Sequence, residues 1–255
     1  MVPSILTSIL QMAIAAAGGL TAFRLLHTGL HRRYPVLFCY MMFIAIYDLT
    51  PILVDTTKTT YFWIWIWCQP IQWILDILVV HELCRVILEK HPGLVTLGRW
   101  GMYAGVVVAA LLSYLSMLPH IHSTMPARSQ LLAYWVAAGR SVTFALAIFL
   151  ILMLFALSRY PVHLSRNVIL NAVLFTLVFL SDSLQAILRT IFDRRMNPWV
   201  AAAATAVEVL WLVLWFWRLK PEGEHTQFSW IRFGPEYEKR VLHRLDTISR
   251  IVGGR

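Results

Sequence analysis

Seven stretches of about twenty predominantly apolar residues each, separated by short loops, leave this chain of 255 residues little with which to build a soluble domain. The stretches are Ser4 to Leu26, Pro35 to Val54, Tyr61 to Leu88, Leu94 to Leu118, Leu131 to Leu157, Asn167 to Arg189 and Pro198 to Leu219. Each is long enough to cross a hydrocarbon layer as a helix. Their lack of strict alternation excludes a barrel, the other structure that satisfies its backbone in lipid. The expected fold is therefore all-α, a polytopic bundle of seven transmembrane helices over residues 1–220, with a cytoplasmic tail over 221–255. The first stretch has no basic leader and exceeds the length of a signal-peptide core, so it is expected to stay as a membrane span.

Composition agrees: 59% of residues are hydrophobic, only 14% are charged, and the mean hydropathy is +0.66. A soluble fold would expose too much apolar surface. The net charge of +9 is spread over segment ends instead of forming one dense patch, which fits lipid headgroups and topology control and argues against nucleic acid. Cys39, Cys68 and Cys84 all fall inside apolar segments, so they are expected to be small core residues, with no disulfide framework or zinc site.

Orientation follows from where lysine and arginine flank the spans. Arg24, Arg32, Arg33, Arg85, Lys90, Arg99, Arg159, Arg166, Arg218 and Lys220 fall on one side, and Lys58, Arg128, Arg189, Arg194 and Arg195 on the other. This predicts the amino terminus outside and the carboxyl terminus in the cytoplasm, in a plasma or inner membrane. Tyr61, Trp63, Trp65 and Trp67 at one interface, and Trp215 and Trp217 at the other, are expected to be interface anchors. Arg33-Tyr34-Pro35-Val36 recurs as Arg159-Tyr160-Pro161-Val162 before the second and sixth spans, a faint sign that spans one to three repeat as five to seven.

Any chemistry should lie where ionisable groups fall within the spans, because a charge at a helix centre costs about 2.5–3.5 kcal/mol to insert. Those groups are Asp48, Asp76, His81, Glu82, Arg140, Asp182 and Glu208. Counting along the helices puts Asp48, Arg140 and Asp182 in the outer half, with Gln69 near the same level beside a kink expected at Pro70. Helical spacing places Asn171, Val178, Asp182, Gln185 and Arg189 on one stripe. Gln69, Gln72, Trp73, Asp76 and Val80 form a second, and Ala201, Ala204, Thr205, Glu208, Trp211 and Trp215 a third. All three stripes should face the interior.

Two readings follow. In the first, Arg140, Asp182, Asp48, Gln69 and Gln185 line a polar cavity for a small ligand, with Asp76, Glu208, His81 and Glu82 offering a proton or cation pathway from it. In the second, Arg140 is neutralised by one aspartate and merely staples the fifth helix to a neighbour.

His81-Glu82-Leu83-Cys84-Arg85 resembles part of a zinc-protease helix, but Arg85 stands where the second histidine is needed. Glu82 and Arg85 suggest an intrahelical ion pair instead. His120 and His122 sit on a loop without a third ligand, so no metal and no cofactor is expected. A retinal pigment is excluded because Pro198 to Leu219 contains no lysine for a Schiff base. In architecture alone, the layout resembles the seven-helix sensor modules of some bacterial signalling proteins.

Beyond the last span, Gly234-Pro235 precedes an apolar stripe of Val241, Leu242, Leu245, Ile248 and Val252 flanked by Arg240, Arg244 and Arg250. This predicts a basic amphipathic helix on the inner leaflet or on a protein partner. No nucleophile and base share a depth, so catalysis is not assigned. A sensor-like or receptor-like binding module signalling through a separate partner is expected first. A small proton- or cation-coupled transporter is the alternative, and a structural subunit of a membrane complex the second.

Overall fold

Proline and glycine decide where the helices of this chain stop. The computed structural model describes residues 2–54, 59–88, 100–109, 111, 127–159, 164–191, 197–225 and 227–228. Helix α1 (Val2–His27) ends at Gly29, whose φ of 74° puts it in the left-handed region, the usual conformation just past a helix terminus. A short 3-10 turn then leads to α2 (Pro35–Tyr47), with proline in its first turn. The second span was expected to run unbroken to Val54. It breaks at Asp48 and Leu49 because Pro51 has no amide to continue the ladder, and a separate turn, α3 (Thr50–Leu53), follows. Pro70, by contrast, lies inside α4 (Thr59–Ile87), which continues through it.

After α4 come α5 (Trp100–Ala109), α6 (Ala127–Arg159), α7 (Arg166–Ile191), α8 (Asn197–Arg218) and a short α9 (Glu222–His225). Six helices are long and apolar enough to cross a membrane: α1, α2 extended through α3, α4, α6, α7 and α8. Of the fourth predicted span, Leu94 to Leu118, α5 is the principal described part, and it is short for a crossing. The basic helix predicted after Pro235, the histidines at 120 and 122 and the repeat Tyr160-Pro161-Val162 lie outside the described residues. The one departure from an all-helical chain among the described residues is a two-residue antiparallel ladder, β1 (Leu164–Ser165) with β2 (Gln227–Phe228).

The six long helices form a closed ring in which α1 packs on α2, α2 on α4, α4 on α6, α6 on α7, α7 on α8 and α8 back on α1. Gly18 brings α1 and α2 together: a Cβ there would lie 3.4 Å from the Met41 carbonyl and 3.5 Å from the Ala45 amide. The core inside the ring is built from Leu25, Tyr34, Met41, Leu83, Leu146, Phe175 and Trp215. Large apolar side chains turn outward all round the ring, as in Leu53, 79% exposed, and Phe23, 65% exposed. Such a perimeter suits acyl chains and no aqueous surface. The chain therefore has the architecture of a helical, multi-pass membrane protein.

Buried hydroxyls are satisfied locally, a common solution in spanning helices. Thr21 donates to the Ala17 carbonyl, Ser141 to Ala137, Thr176 to Ala172 and Thr205 to Ala201, at 2.7–2.8 Å. The cysteines divide: Cys84 is in the core as expected, Cys68 is half-buried, and Cys39 lies on the exposed side of α2.

Candidate functional site: a cavity shared by six helices

All six long helices contribute to one cavity of about 390 Å³. It lies towards the end of the ring at which α1 begins. The first halves of α1, α4 and α6 supply Gln11, Gln69 and Arg140, and the later parts of α2 and α7 supply Tyr47 and Asp182. Each contribution follows helical spacing. On α2, Tyr40, Phe43, Ile44 and Tyr47 recur at intervals of three and four, with Asp48 one residue beyond the helix end. On α6 the same spacing aligns Val136, Gly139, Arg140 and Thr143, and on α8 it aligns Thr205, Glu208, Leu212 and Trp215.

Every residue expected to bind a ligand, Arg140, Asp182, Asp48, Gln69 and Gln185, lines this cavity, and so do Asp76 and Glu208. His81 and Glu82 lie elsewhere. The His81 ring stacks on Tyr103 of α5, with centroids 6.4 Å apart. Glu82 accepts the first free amides of α2, from Val36 at 2.9 Å and Leu37 at 3.1 Å. The residue at the N-cap of α2, Tyr34, offers no capping side chain, so a carboxylate from α4 does the work instead. Arg85, expected as the intrahelical partner of Glu82, still acts on it electrostatically, while the carboxylate oxygens are engaged in this interhelical cap.

The cavity's polar groups are only partly engaged with one another. Gln69 donates through Nε2 to Gln72 Oε1 at 3.1 Å, and the Tyr40 hydroxyl hydrogen-bonds the Asp76 carboxyl. Among the described residues Arg140 forms no direct ion pair with Asp48 or Asp182. Asp76 is 2% exposed, and one of its carboxyl oxygens has no hydrogen-bond partner; the Trp135 indole N–H also has none. Unpaired buried polar atoms are uncommon and costly, and these two both belong to residues that line the cavity.

The walls are aromatic. Trp73 and Trp135 meet edge to face, 5.0 Å between ring centroids, and Trp73 lies flat enough on α6 that a Cβ at Gly139 would come 3.0 Å from its Nε1. At the deep end Tyr40 and Trp215 line the cavity and each packs on Phe175 behind them, at 5.4 and 4.7 Å between ring centroids, and the Trp215 indole donates to Asn171 Oδ1 at 2.9 Å. The expectation that Trp65 and Trp215 serve as interface anchors is corrected: both line the cavity, and Trp215 is 1% exposed. Trp63, Trp67 and Trp217 do face outward. Positions two apart lie on opposite sides of a helix, so a run of alternating tryptophans serves both faces.

Gln11, Tyr47 and Trp135 also line the cavity and were not expected from the sequence. The spacing of Tyr40, Phe43, Ile44 and Tyr47 was the available signal for α2. A lone glutamine such as Gln11 inside an apolar run carries none.

At the far end of the ring a polar latch holds the segment after α8. Tyr34 donates its hydroxyl to Glu224 Oε1 at 2.7 Å, and Asn167 Nδ2 donates to the same oxygen and to the Lys220 carbonyl, both at 2.8 Å. Burial, with the Glu224 carboxylate beside it, pushes the Tyr34 phenol well above its ordinary range and keeps it a donor. Nearby, the Arg24 guanidinium lies 4.9 Å over the Phe216 ring and donates to that residue's carbonyl, one left free at the end of α8. Among the described residues, no group of three histidine, cysteine, aspartate or glutamate side chains is placed to hold a metal ion. No family model, no curated protein and no solved structure matches the chain.

Proposed function

We propose that this protein is a receptor-like membrane module that binds a small ligand in the six-helix cavity and reports occupancy to a separate partner through its tail. The carrying observation is the convergence of Asp48, Asp182, Arg140, Gln69 and Gln185, from four different elements, on one aromatic-walled cavity of a size typical of ligand sites. Reporting has a structural route. The helices that bring Asp48, Asp182 and Glu208 to the cavity, α2, α7 and α8, are the ones whose other ends are joined by Tyr34, Asn167 and Glu224.

The orientation we propose is the amino terminus outside and the tail in the cytoplasm of a plasma or inner membrane, with seven crossings. Supporting the seventh is that α4 and α6 are neighbours that run in the same direction, so the chain between them has to return to the starting side. The basic helix after Pro235 is the proposed contact for the partner or the inner leaflet.

A proton- or cation-coupled transporter is the second reading, favoured by the depth of Asp76 and Glu208 in the cavity. Access separates the two. With the native cysteines changed to serine, Gln185→Cys in sealed proteoliposomes should react with a membrane-impermeant maleimide from the amino-terminal side only, and a trapped pH dye should register no flux. Labelling from both sides together with flux would establish the carrier.

A further inference from the structure

The chemistry of the cavity wall selects among ligand classes, and the choice rests on the binding-module reading above. Four carboxyl groups, Asp48, Asp76, Asp182 and Glu208, line the cavity, and Arg140 is the sole basic side chain among the described residues that do. One guanidinium neutralises at most one of them. The wall therefore carries net negative charge whenever two or more of these acids are ionised, and in that state it selects against anions. An anion would face this wall at low dielectric, where repulsion is poorly screened.

The aromatic content points the same way. Tyr47, Trp73, Trp135 and Trp211 put ring systems around the same space, and an electron-rich ring face attracts a cation while tolerating its apolar substituents. Asp76 adds an independent indication, since it is 2% exposed and carries a carboxyl oxygen without a partner. A cationic ligand N–H could donate to that oxygen and have its charge matched there.

A bare metal ion fits less well. No three acidic, histidine or cysteine groups converge to coordinate one among the described residues. The carboxyls are instead distributed around about 390 Å³, the bulk liquid volume of roughly a dozen waters. Such spacing suits a cation with an extended apolar body.

We infer that the ligand of the six-helix cavity is an organic cation, an amine with an aromatic or bulky apolar body, its ammonium held at Asp76 and its body against the wall formed by Trp73 and Trp135. Arg140 then serves to balance part of the acidic wall and does not contact the ammonium.

The test uses the full chain in lipid nanodiscs, with saturation-transfer NMR of three probes matched in shape and empty nanodiscs subtracted: 2-phenylethylammonium, propylbenzene and 3-phenylpropionate. The ammonium probe should bind and the other two should not. Asp76→Asn should weaken it by about thirtyfold or more, as for loss of one partner of a buried, hydrogen-bonded charge pair. Trp135→Leu should weaken it by about two- to fivefold, the range of an exposed to partly buried cation–π contact. Gly139→Leu, which fills the cavity, should abolish binding. Thermal unfolding in the same nanodiscs checks each variant; Asp182→Asn replaces Asp76→Asn, and Gln185→Trp replaces Gly139→Leu, if the first choice does not fold.

Binding of the neutral or anionic probe as tightly as the ammonium, still abolished by Gly139→Leu, would overturn the cation assignment and leave the ligand cavity standing. An unchanged affinity for the ammonium in both Asp76→Asn and Asp182→Asn would do the same. If no probe gives a signal that the cavity-filling variant removes, the binding-module reading falls along with it.

Discussion

A single carboxylate, Glu82, illustrates how one residue in this protein is held to its role by partners far away in sequence. Its two oxygens accept the Val36 and Leu37 amides at the start of α2, which have no other cap. Glu82→Ala should leave both donors buried and unpaired and lower stability by about 2–3 kcal/mol. Glu82→Gln keeps one acceptor and should recover about half of that loss. Unfolding midpoints in detergent micelles, compared for the two variants, check this; equal midpoints for Ala and wild type would remove the cap. Gly139→Ala is a second residue-scale case, because the new methyl meets Trp73 Nε1 at 3.0 Å. The indole has to give by a few tenths of an ångström, so a displaced tryptophan emission maximum is expected.

Between elements, the junction that matters most is the one between α9 and the ends of α2 and α7. A Cβ at Gly223 would fall 2.2 Å from Asn167 Oδ1, so Gly223→Ala should push Asn167 aside and break its bonds to Lys220 and Glu224. Limited proteolysis should then cut the chain after residue 223 several-fold faster than in wild type, with the helical bundle intact by circular dichroism. Tyr34→Phe removes a single hydrogen bond from the same latch and should produce a smaller acceleration. Equal cleavage of all three proteins would show that the latch does not restrain the tail.

Across the whole molecule, the direction of each helix sets the topology. Helices α1, α4, α6 and α8 run one way and α2 and α7 the other, so α1–α2–α4 and α6–α7–α8 form two arcs with the same sense, as a duplicated three-helix unit would. The seven crossings proposed above would bring the chain back to the starting side between these two arcs. Single cysteines introduced at Ser8 and at Glu222 in a cysteine-free background should accordingly react with an impermeant reagent from opposite sides of the membrane. Reaction from one side would contradict the parallel run of α1 and α8 and overturn the proposed seven crossings.

By itself the sequence determined that the chain is a bundle of membrane-length helices, which stretches form them, and which stripes of α4, α7 and α8 face inward. Apolar length and the period of 3.6 residues are properties of a segment on its own, so they are legible in one dimension. It also nominated the acids, the two glutamines and Arg140, because ionisable groups are rare in such segments. Only the tertiary structure decided that these groups share one cavity, that Trp65 and Trp215 turn into it while their neighbours turn out, and that Glu82 leaves the polar set to cap another helix. Helix order round the ring and relative rotation depend on how side chains from different helices pack. No periodicity within one segment encodes that packing.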